Sequence, residues 1–489
     1  MTLNKTLRHV LDHCHLTVTA ITLLAILFLT ACGSDSSDSS VKEEMPVLTN
    51  NGSCSANDFS AVKQLISDKG HIIKLVCNGP YAALLMKKNI AAYSYQNNVF
   101  LINVDMGNVI FESTNHEITD INLIDESTLV YTEFSKNQQG MSEYRLVYRD
   151  IITEDVTSAI IHQDTFTVHD YSPVSLKVLP VEGVLVTSYR NSKGAPWLSG
   201  WKLNSSNELE QVFNNQIAPA LDEVGFLHPL GVDGGSVDVF NDLLRQQSIY
   251  LAPNPISDNE LLVSFSAPAI GGRIDDLSHY VDSYNEFTDE ELSYLSTKGS
   301  YEGVDVIITR VNTSGNQSES SVLGTVNVDH HFGLSSYLDS PLIFGRTLLK
   351  VDEWKGFLAS NSLVNSDLSS AKNSVISAAK DTEYGLLSAA SVNWQQNPSG
   401  ISVSERASLE FVLLDESLKK ISKTELAPSN RFDQINGIIA LKNNGYLAYG
   451  MSNGPGTHSA DSNASRFESE PLLIQVVIGS DSSLRTITY

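Results

Sequence analysis

The sequence predicts an all-β protein whose strands form four-stranded antiparallel blades repeated around a ring, the architecture of a β-propeller. The first observation is a recurring pair of apolar strands joined by a tight polar turn, as in Ile121–Thr132, Leu176–Thr187 and Ile438–Tyr449. These runs are rich in β-branched and aromatic residues, which favour strands. The second observation is that each pair is followed by a third apolar strand and a short turn into a fourth. Repeated units of four antiparallel strands are typical of a propeller.

The composition fits a large folded body and excludes some classes of partner. Of the 489 residues, 42% are hydrophobic, which supports a sizeable core and argues against wholesale disorder. The formal net charge is −25, from 57 acidic and 32 basic residues. Binding to nucleic acid or another polyanion requires clustered Lys and Arg, so this charge argues against such partners.

The N-terminus carries an export signal. Lys5 and Arg8 lie in a polar start, and an apolar run extends from Leu16 to Ala31. This run is short for a membrane-spanning helix and suits a signal peptide, with an uncleaved anchor as the alternative. It ends in Leu29-Thr30-Ala31-Cys32, which resembles the lipobox of bacterial lipoproteins. The resemblance implies removal of residues 1–31 and a lipid on Cys32. It also implies the outer membrane, since the following Gly33-Ser34 lacks the Asp that retains lipoproteins in the inner membrane.

Residues 32–53 are predicted to be a flexible tether, because this acidic and Ser-rich stretch has almost no apolar content. The next segment, 54–79, is predicted to be stapled by a disulfide. Cys14 leaves with the signal and Cys32 carries the lipid, so Cys54 and Cys77 remain. An exported protein meets an oxidising compartment, which favours a Cys54–Cys77 disulfide over two free thiols. Helical spacing of the apolar residues between the two cysteines predicts a helix that ends near Gly70.

Residues 80–489 are predicted to be the propeller. Its repeat resembles TolB-like and WD-repeat-like propellers in architecture, although no Trp-Asp dipeptide is present. Six units can be placed, at 80–114, 116–160, 172–218, 240–328, 347–428 and 436–489. In the overlong fifth unit, Leu348–Ser360 fits a first and second strand, and both Phe357–Ala359 and Leu386–Ser388 resemble second strands. We therefore prefer seven blades, with six possible, and a pair of β-sandwiches is the competing fold.

The lengths of the connections point to one functional face. Turns between first and second strands are short, whereas those between second and third strands are long at 134–142, 191–196, 267–303, 394–407 and 452–470. In an up-and-down blade these second-to-third connections all emerge on one face of the disc. Loops on a rigid scaffold often carry function, so we expect the binding surface on that face, with drift in loop length as the alternative.

The largest connection, 267–303, is predicted to contain a helix, because Thr288 and Glu291 form a capping box. Its acidic residues accompany Tyr280, Tyr284 and Tyr294. An acidic, aromatic lid is one interpretation, and a solvated surface helix is the favoured one.

Chemical motifs are scarce, so we assign no catalytic residue, metal ligand or cofactor. Asp233 and Asp238 lie near glycines but lack the spacing of an EF-hand. His330 and His331 are adjacent, so on a strand they would point to opposite faces. The sequence contains no phosphate-binding glycine loop followed by Lys and Ser or Thr.

Three tryptophans are candidate binding residues on the functional face: Trp197, Trp201 and Trp394. Exposed rings of this kind anchor protein partners or stack on sugars, although packing between blades is the alternative. Together these features predict a lipid-anchored scaffold of the outer membrane that binds a protein partner. The rival hypothesis is a glycan-binding module or glycan-active enzyme that uses the mouth of the channel.

Overall fold

The computed structural model describes most of the chain from residue 53 to residue 489. The described residues are 53–55, 58–91, 94–114, 118–164, 175–191, 195–218, 249–268, 304–323, 328–350, 353–360, 363–366, 368–369, 371, 373–392, 407–429, 432–442, 445–454 and 469–489. The predicted signal peptide and lipidation site, almost all of the tether, and nearly all of the insertion at 267–303 lie outside these residues.

Four of the seven sheets, which we call blades, are formed by the first half of the chain. Blade 1 consists of β1 (His71–Asn78), β2 (Tyr81–Ala91), β3 (Ser94–Asn103) and β4 (Asn108–Thr114). Blade 2 consists of β5 (Ile118–Leu123), β6 (Thr128–Lys136), β7 (Ser142–Asp150) and β8 (Val156–Asp164). Blade 3 consists of β9 (Lys177–Val181), β10 (Val184–Arg190), β11 (Pro196–Leu203) and β12 (Leu209–Gln216). Blade 4 consists of β13 (Tyr250–Pro253), β14 (Glu260–Pro268), β15 (Val304–Asn312) and β16 (Gln317–Leu323).

The remaining three blades follow in chain order. Blade 5 consists of β17 (Val328–Tyr337), β18 (Ser340–Lys350), β19 (Glu353–Ser360) and β20 (Leu363–Asn365). Blade 6 consists of β21 (Ser374–Thr382), β22 (Gly385–Val392), β23 (Ser408–Leu414) and β24 (Lys420–Leu426). Blade 7 consists of β25 (Phe432–Leu441), β26 (Gly445–Gly454), β27 (Glu470–Ile478) and β28 (Leu484–Thr488).

The blades close into a ring with their first strands innermost. Each blade is a four-stranded sheet in which strands adjacent in sequence pair side by side, and all these pairs are antiparallel. The first strand of each blade contacts the first strand of the next, and β25 contacts β1. The all-β propeller prediction is confirmed, as is the preference for seven blades over six. The pair of β-sandwiches is wrong, because no sheet contains strands from two repeats.

The core is distributed among the seams between neighbouring blades. In the seam between blades 3 and 4, Val186 and Leu198 pack with Val263 and Ile307. In the seam between blades 6 and 7, Phe411 and other apolar residues of blade 6 pack against apolar residues of blade 7. This arrangement explains the sequence pattern: the second strand β10 is buried along its whole length, whereas the outer strand β24 is mostly exposed. Burial on both faces produces the continuous apolar runs of the inner strands.

The N-terminal segment contains the predicted helix and disulfide. Helix α1 spans Ser60–Ile66 and buries Val62 and Ile66. The disulfide joins Cys54 to Cys77, which confirms the predicted pairing. Cys77 lies on β1, so the strand expected within segment 54–79 is the innermost strand of blade 1 and the propeller begins at His71.

The predicted boundaries of the fifth unit are wrong. Blade 5 begins at Val328, and Leu348–Ser360 covers the end of β18 and the whole of β19, which are second and third strands. The first strand of this blade was overlooked because β17 contains Asp329 and His331, both buried despite their polarity. The fourth strand, β20, has only three residues. Such a short strand is not recognisable in the sequence, so the end of blade 5 could not be located.

Candidate functional site

Two faces of the ring differ in the length of their connections. The short-loop face carries the first-to-second and third-to-fourth turns, of which 254–259 is the longest. The opposite end of the strands carries the second-to-third and fourth-to-first connections, and we call it the long-loop face. Its five longest connections are 165–176, 217–249, 269–303, 393–407 and 455–469. Two of these run between blades and were not recognised from the sequence.

The predicted length of two other connections is wrong. We expected long second-to-third connections at 134–142 and 191–196. The strands extend into the first, whereas the second keeps its predicted bounds to within one residue but has only the five residues 191–195. β6 ends at Lys136 and β7 begins at Ser142, and Asn137 closes the short turn between them through its side chain. The second connection is likewise closed by Asn191, whose side-chain oxygen accepts the Ala195 N–H at 2.9 Å. Asn closes turns in this way and allows the strands on both sides to pair to their ends.

Tight turns bring carboxylates to the channel on the short-loop face. Glu182 and Gly183 both have positive φ, at 35° and 74°, and so do Leu338 and Asp339, at 49° and 60°. Two consecutive residues of positive φ form the turn that matches the twist of an antiparallel hairpin. These turns place Glu182 and Asp339 at the rim of a shared cavity.

The cavity has a volume of about 830 Å³ and is formed by the turns and first strands of blades 3 to 7. Its lining also includes Tyr446 and Tyr449 of β26, which are 8% and 7% exposed. Lys380 is the basic residue among the described residues that line it. The lining carboxylates are those of Glu182, Asp258, Glu260, Asp339, Asp381 and Glu383. The mouth of the channel is therefore strongly acidic.

Two neighbouring groups in this cavity have shifted pKa values. Partial burial raises the pKa of Asp381, and the Asp339 carboxylate adds to the shift, while backbone N–H groups and the Lys380 ammonium oppose it. Burial lowers the pKa of Lys380, and Asp381 partly offsets the effect. Burial beside another carboxylate therefore makes Asp381 bind a proton more readily than an ordinary aspartate.

Not every lining carboxylate is free to meet a ligand. Glu260 accepts a hydrogen bond from the Asn254 side chain at 2.8 Å, which holds it at the start of β14. The cavity can accept hydrogen bonds from hydroxyl groups and attract a cation. Tyr446 and Tyr449 offer little ring surface to a ligand, because they are packed into the seams on either side of blade 7.

The predicted tryptophans do not form one surface. Trp201 is 4% exposed, lies in the seam between blades 2 and 3, and donates its indole N–H to Thr187 Oγ1 at 3.1 Å. It is a core residue, so its assignment to a binding surface is wrong. Trp197 is half-buried on β11 and stacks on Tyr189, with 6.2 Å between ring centroids. Trp394, Tyr280, Tyr284 and Tyr294 lie outside the described residues.

Sequence reasoning missed the row of rings to which Trp197 belongs. Tyr144 stacks on His162, at 6.0 Å, and His162 stacks on Tyr189, at 4.8 Å. These rings come from blades 2 and 3, near the long-loop ends of their strands. No local motif marks such a row, because its members are brought together only by the packing of one blade against the next.

The described residues contain no group of three or more His, Cys, Asp and Glu side chains placed to hold a metal ion. His331 instead lies in a seam, where Nδ1 is 3.1 Å from Ser266 Oγ and the ring meets Tyr250 edge-on. Of the helical segments in the described ranges, none is long and apolar enough to cross a membrane.

Comparison with known proteins adds only remote likenesses of fold. No protein-family model matches the chain, and no curated protein matches it. Among solved structures, the β-propeller domain of the Trilobed protease from Pyrococcus furiosus aligns with 11% identity and a TM-score of 0.38, covering 86% of this chain and 97% of the other. The periplasmic gluconolactonase PpgL of Pseudomonas aeruginosa aligns with 12% identity and a TM-score of 0.37, covering 83% and 99%. Both TM-scores are low, so the propeller assignment rests on the strand pairing of this chain.

Proposed function

We propose that this protein is a lipid-anchored scaffold of the bacterial outer membrane that binds a protein partner through its long-loop face. The leader with its lipobox and the predicted tether support the membrane anchor. The observation that carries the binding proposal is the placement of five long connections at one end of a seven-bladed ring. Long loops held on a rigid scaffold supply a large, variable surface at little cost to stability.

The charge of the chain limits the partner. With a net charge of −25, the protein repels acidic surfaces and favours a partner that presents basic residues. Electrostatic complementarity of this kind raises the rate of association and depends on ionic strength. Binding of the partner should therefore weaken as salt is added.

The test is crosslinking in cells, followed by purification of the tagged protein from detergent-solubilised membranes and mass spectrometry. We expect a stoichiometric protein partner that is lost when residues 269–303 are replaced by a short Gly-Ser linker. Replacing residues 151–155, an exposed turn of the short-loop face, with a Gly-Ser linker is the control and should leave the partner bound. Recovery of the protein alone would contradict the scaffold proposal.

The cavity on the short-loop face favours a second candidate function, the binding or cleavage of a glycan. A sugar needs hydrogen-bonding groups within a pocket of ligand size, and the cavity of about 830 Å³ offers several carboxylates, among them Asp381 and Glu383. Asp381, with its raised pKa, is suited to the role of a general acid. This candidate uses residues other than Trp197 and Trp394.

Calorimetric titration with neutral oligosaccharides tests the second candidate. Asp381→Asn should weaken binding, whereas Glu416→Gln should leave it unchanged, because Glu416 is an exposed carboxylate in a turn of the same blade and face but outside the cavity. A polyamine titrated in parallel distinguishes sugar recognition from simple attraction of cations. Absence of oligosaccharide binding to the unmodified protein would exclude the glycan candidate.

A further inference from the structure

One of the seven seams is joined differently from the others. Six seams are crossed by the connection from the fourth strand of one blade to the first strand of the next. The seam between blades 7 and 1 is crossed by no such connection, and each of these blades is completed by its own four consecutive strands. No strand of one blade is inserted into the sheet of the other, so in the described ring this seam is held by packing and hydrogen bonds between the two blades and by the residues that precede blade 1.

The residues around Cys54 join the two blades through their backbone. The Cys54 N–H donates to the Ala440 carbonyl at 3.2 Å, and the Lys442 N–H donates to the Cys54 carbonyl at 3.0 Å. On the other side, the Ser55 N–H donates to the Gly79 carbonyl at 2.9 Å. Cys54 thus lies between the ends of β25 and β1 and makes parallel bridges to both.

Helix α1 fills the same seam farther from the channel. It contacts β4 of blade 1 and β27 of blade 7. Phe59, Val62 and Ile66 are fully buried in a cluster that combines residues of both blades. Lys63 donates to the Pro471 carbonyl, which ties the helix to blade 7. We call residues 53–55 and 58–66 the strap.

The disulfide fastens the strap to one side of the seam only. Cys77 lies on β1, so the covalent bond holds Cys54 against blade 1. The contacts of the strap with blade 7 are hydrogen bonds and apolar packing. A crosslink that limits the freedom of Cys54 keeps it in place to make those contacts.

We propose that the strap is the closure of the ring and that the disulfide controls its opening. The seam between blades 7 and 1 opens as a local unit while the other six seams stay closed. Without the disulfide, the strap detaches far more often. The apolar side chains of α1 and of the seam are then exposed, and the wall of the channel loses its continuity between β25 and β1.

Hydrogen exchange, measured by mass spectrometry on the full-length mature protein, tests this proposal. In the Cys54→Ser/Cys77→Ser variant, exchange of the strap amides should rise on the order of 100-fold, the size of effect expected for losing such a crosslink. In the same variant, strap amides should exchange at least about tenfold faster than those of blades 3 to 6, with little dependence on urea, as local openings do.

Two further variants keep the test decisive. Val62→Ala, which loosens the strap with the disulfide intact, should raise exchange in the strap selectively. Ile343→Ala, which makes a void in the seam between blades 4 and 5, should not. The proposal is overturned if strap amides and blade amides share one rate and one urea dependence in the cysteine variant, or if Val62→Ala and Ile343→Ala raise exchange at the same sites.

Discussion

At the scale of single residues, buried polar side chains cross the seams and tie one blade to the next. Lys74 of blade 1 contacts Asp120 of blade 2 at 2.9 Å, and the same carboxylate accepts the Val178 N–H of blade 3 at 2.9 Å. Ser266 of blade 4 reaches His331 of blade 5. Such buried groups stabilise the ring only in the protonation state that suits their partners.

Stability should fall in acid because His331 must stay neutral in the folded ring. Burial lowers the pKa of His331 to about 3, and the Arg190 guanidinium adds to the effect. Below the ordinary pKa of His, about 6.5, the unfolded chain binds a proton that the folded chain does not, so about 2 kcal/mol of stability is lost between pH 7 and pH 5. His331→Gln should remove this part of the loss, as measured by urea unfolding. Equal acid sensitivity in both proteins would contradict the assignment.

Trp201 should matter for stability and not for partner binding. Trp201→Phe removes the hydrogen bond to Thr187 Oγ1 and leaves space in the seam, which should cost roughly 1–3 kcal/mol. Partner recovery after crosslinking should be unchanged at a temperature where the variant is folded. Loss of the partner without loss of stability would contradict the core assignment and show that Trp201 takes part in partner binding.

At the scale of elements, the strands were predictable wherever their apolar pattern was continuous. The paired runs at 121–132, 176–187 and 438–449 are first and second strands, because burial between blades demands apolar residues at most positions. The pattern failed in β17, where polar residues are buried in the seam, and in β20, which is too short to recognise. Whether a ring such as Trp201 faces a seam or the solvent depends on the neighbouring blade, which local sequence does not encode.

Two turns between neighbouring strands depend on glycine, to different degrees. Gly315 and Gly140 both have positive φ, at 82° and 78°. A Cβ on Gly315 would lie 2.6 Å from the Phe213 side chain of blade 3, whereas one on Gly140 would have no heavy atom within 4 Å. Gly140→Ala should therefore cost about 1 kcal/mol, from backbone strain alone, and Gly315→Ala about 1–3 kcal/mol more. Equal unfolding midpoints for the two variants would show that the contact with Phe213 has no effect.

At the scale of the whole molecule, the ring assembles features that no stretch of sequence contains. The acidic cavity gathers residues of blades 3 to 7, and the strap brings residue 54 against residues 79 and 441. The cysteine pairing could be predicted, because only two cysteines remained for a disulfide. The cavity could not, because its carboxylates are ordinary turn residues until the ring closes.

The lipid anchor predicts where the protein is found in a cell. Cys32→Ser should release the protein from membranes into the soluble fraction, because this side chain is the proposed site of the lipid. Cell fractionation followed by immunoblotting measures the shift. Cys14→Ser is the matched control and should leave the protein on the membrane, since Cys14 lies in the part that the proposed cleavage removes. Membrane retention of the Cys32 variant would contradict the lipobox assignment.

The most direct test of binding through one face is site-specific photocrosslinking in cells. One set of probes would replace Gln139 on the long-loop face, together with Tyr284 and Trp394, which belong to the connections 269–303 and 393–407. Probes on the short-loop face would replace Met106 and Ile152, which are 77% and 80% exposed. We expect adducts with one partner protein from the first set and none from the second. Adducts from Met106 or Ile152, or from neither set, would contradict the claim that the long-loop face binds the partner.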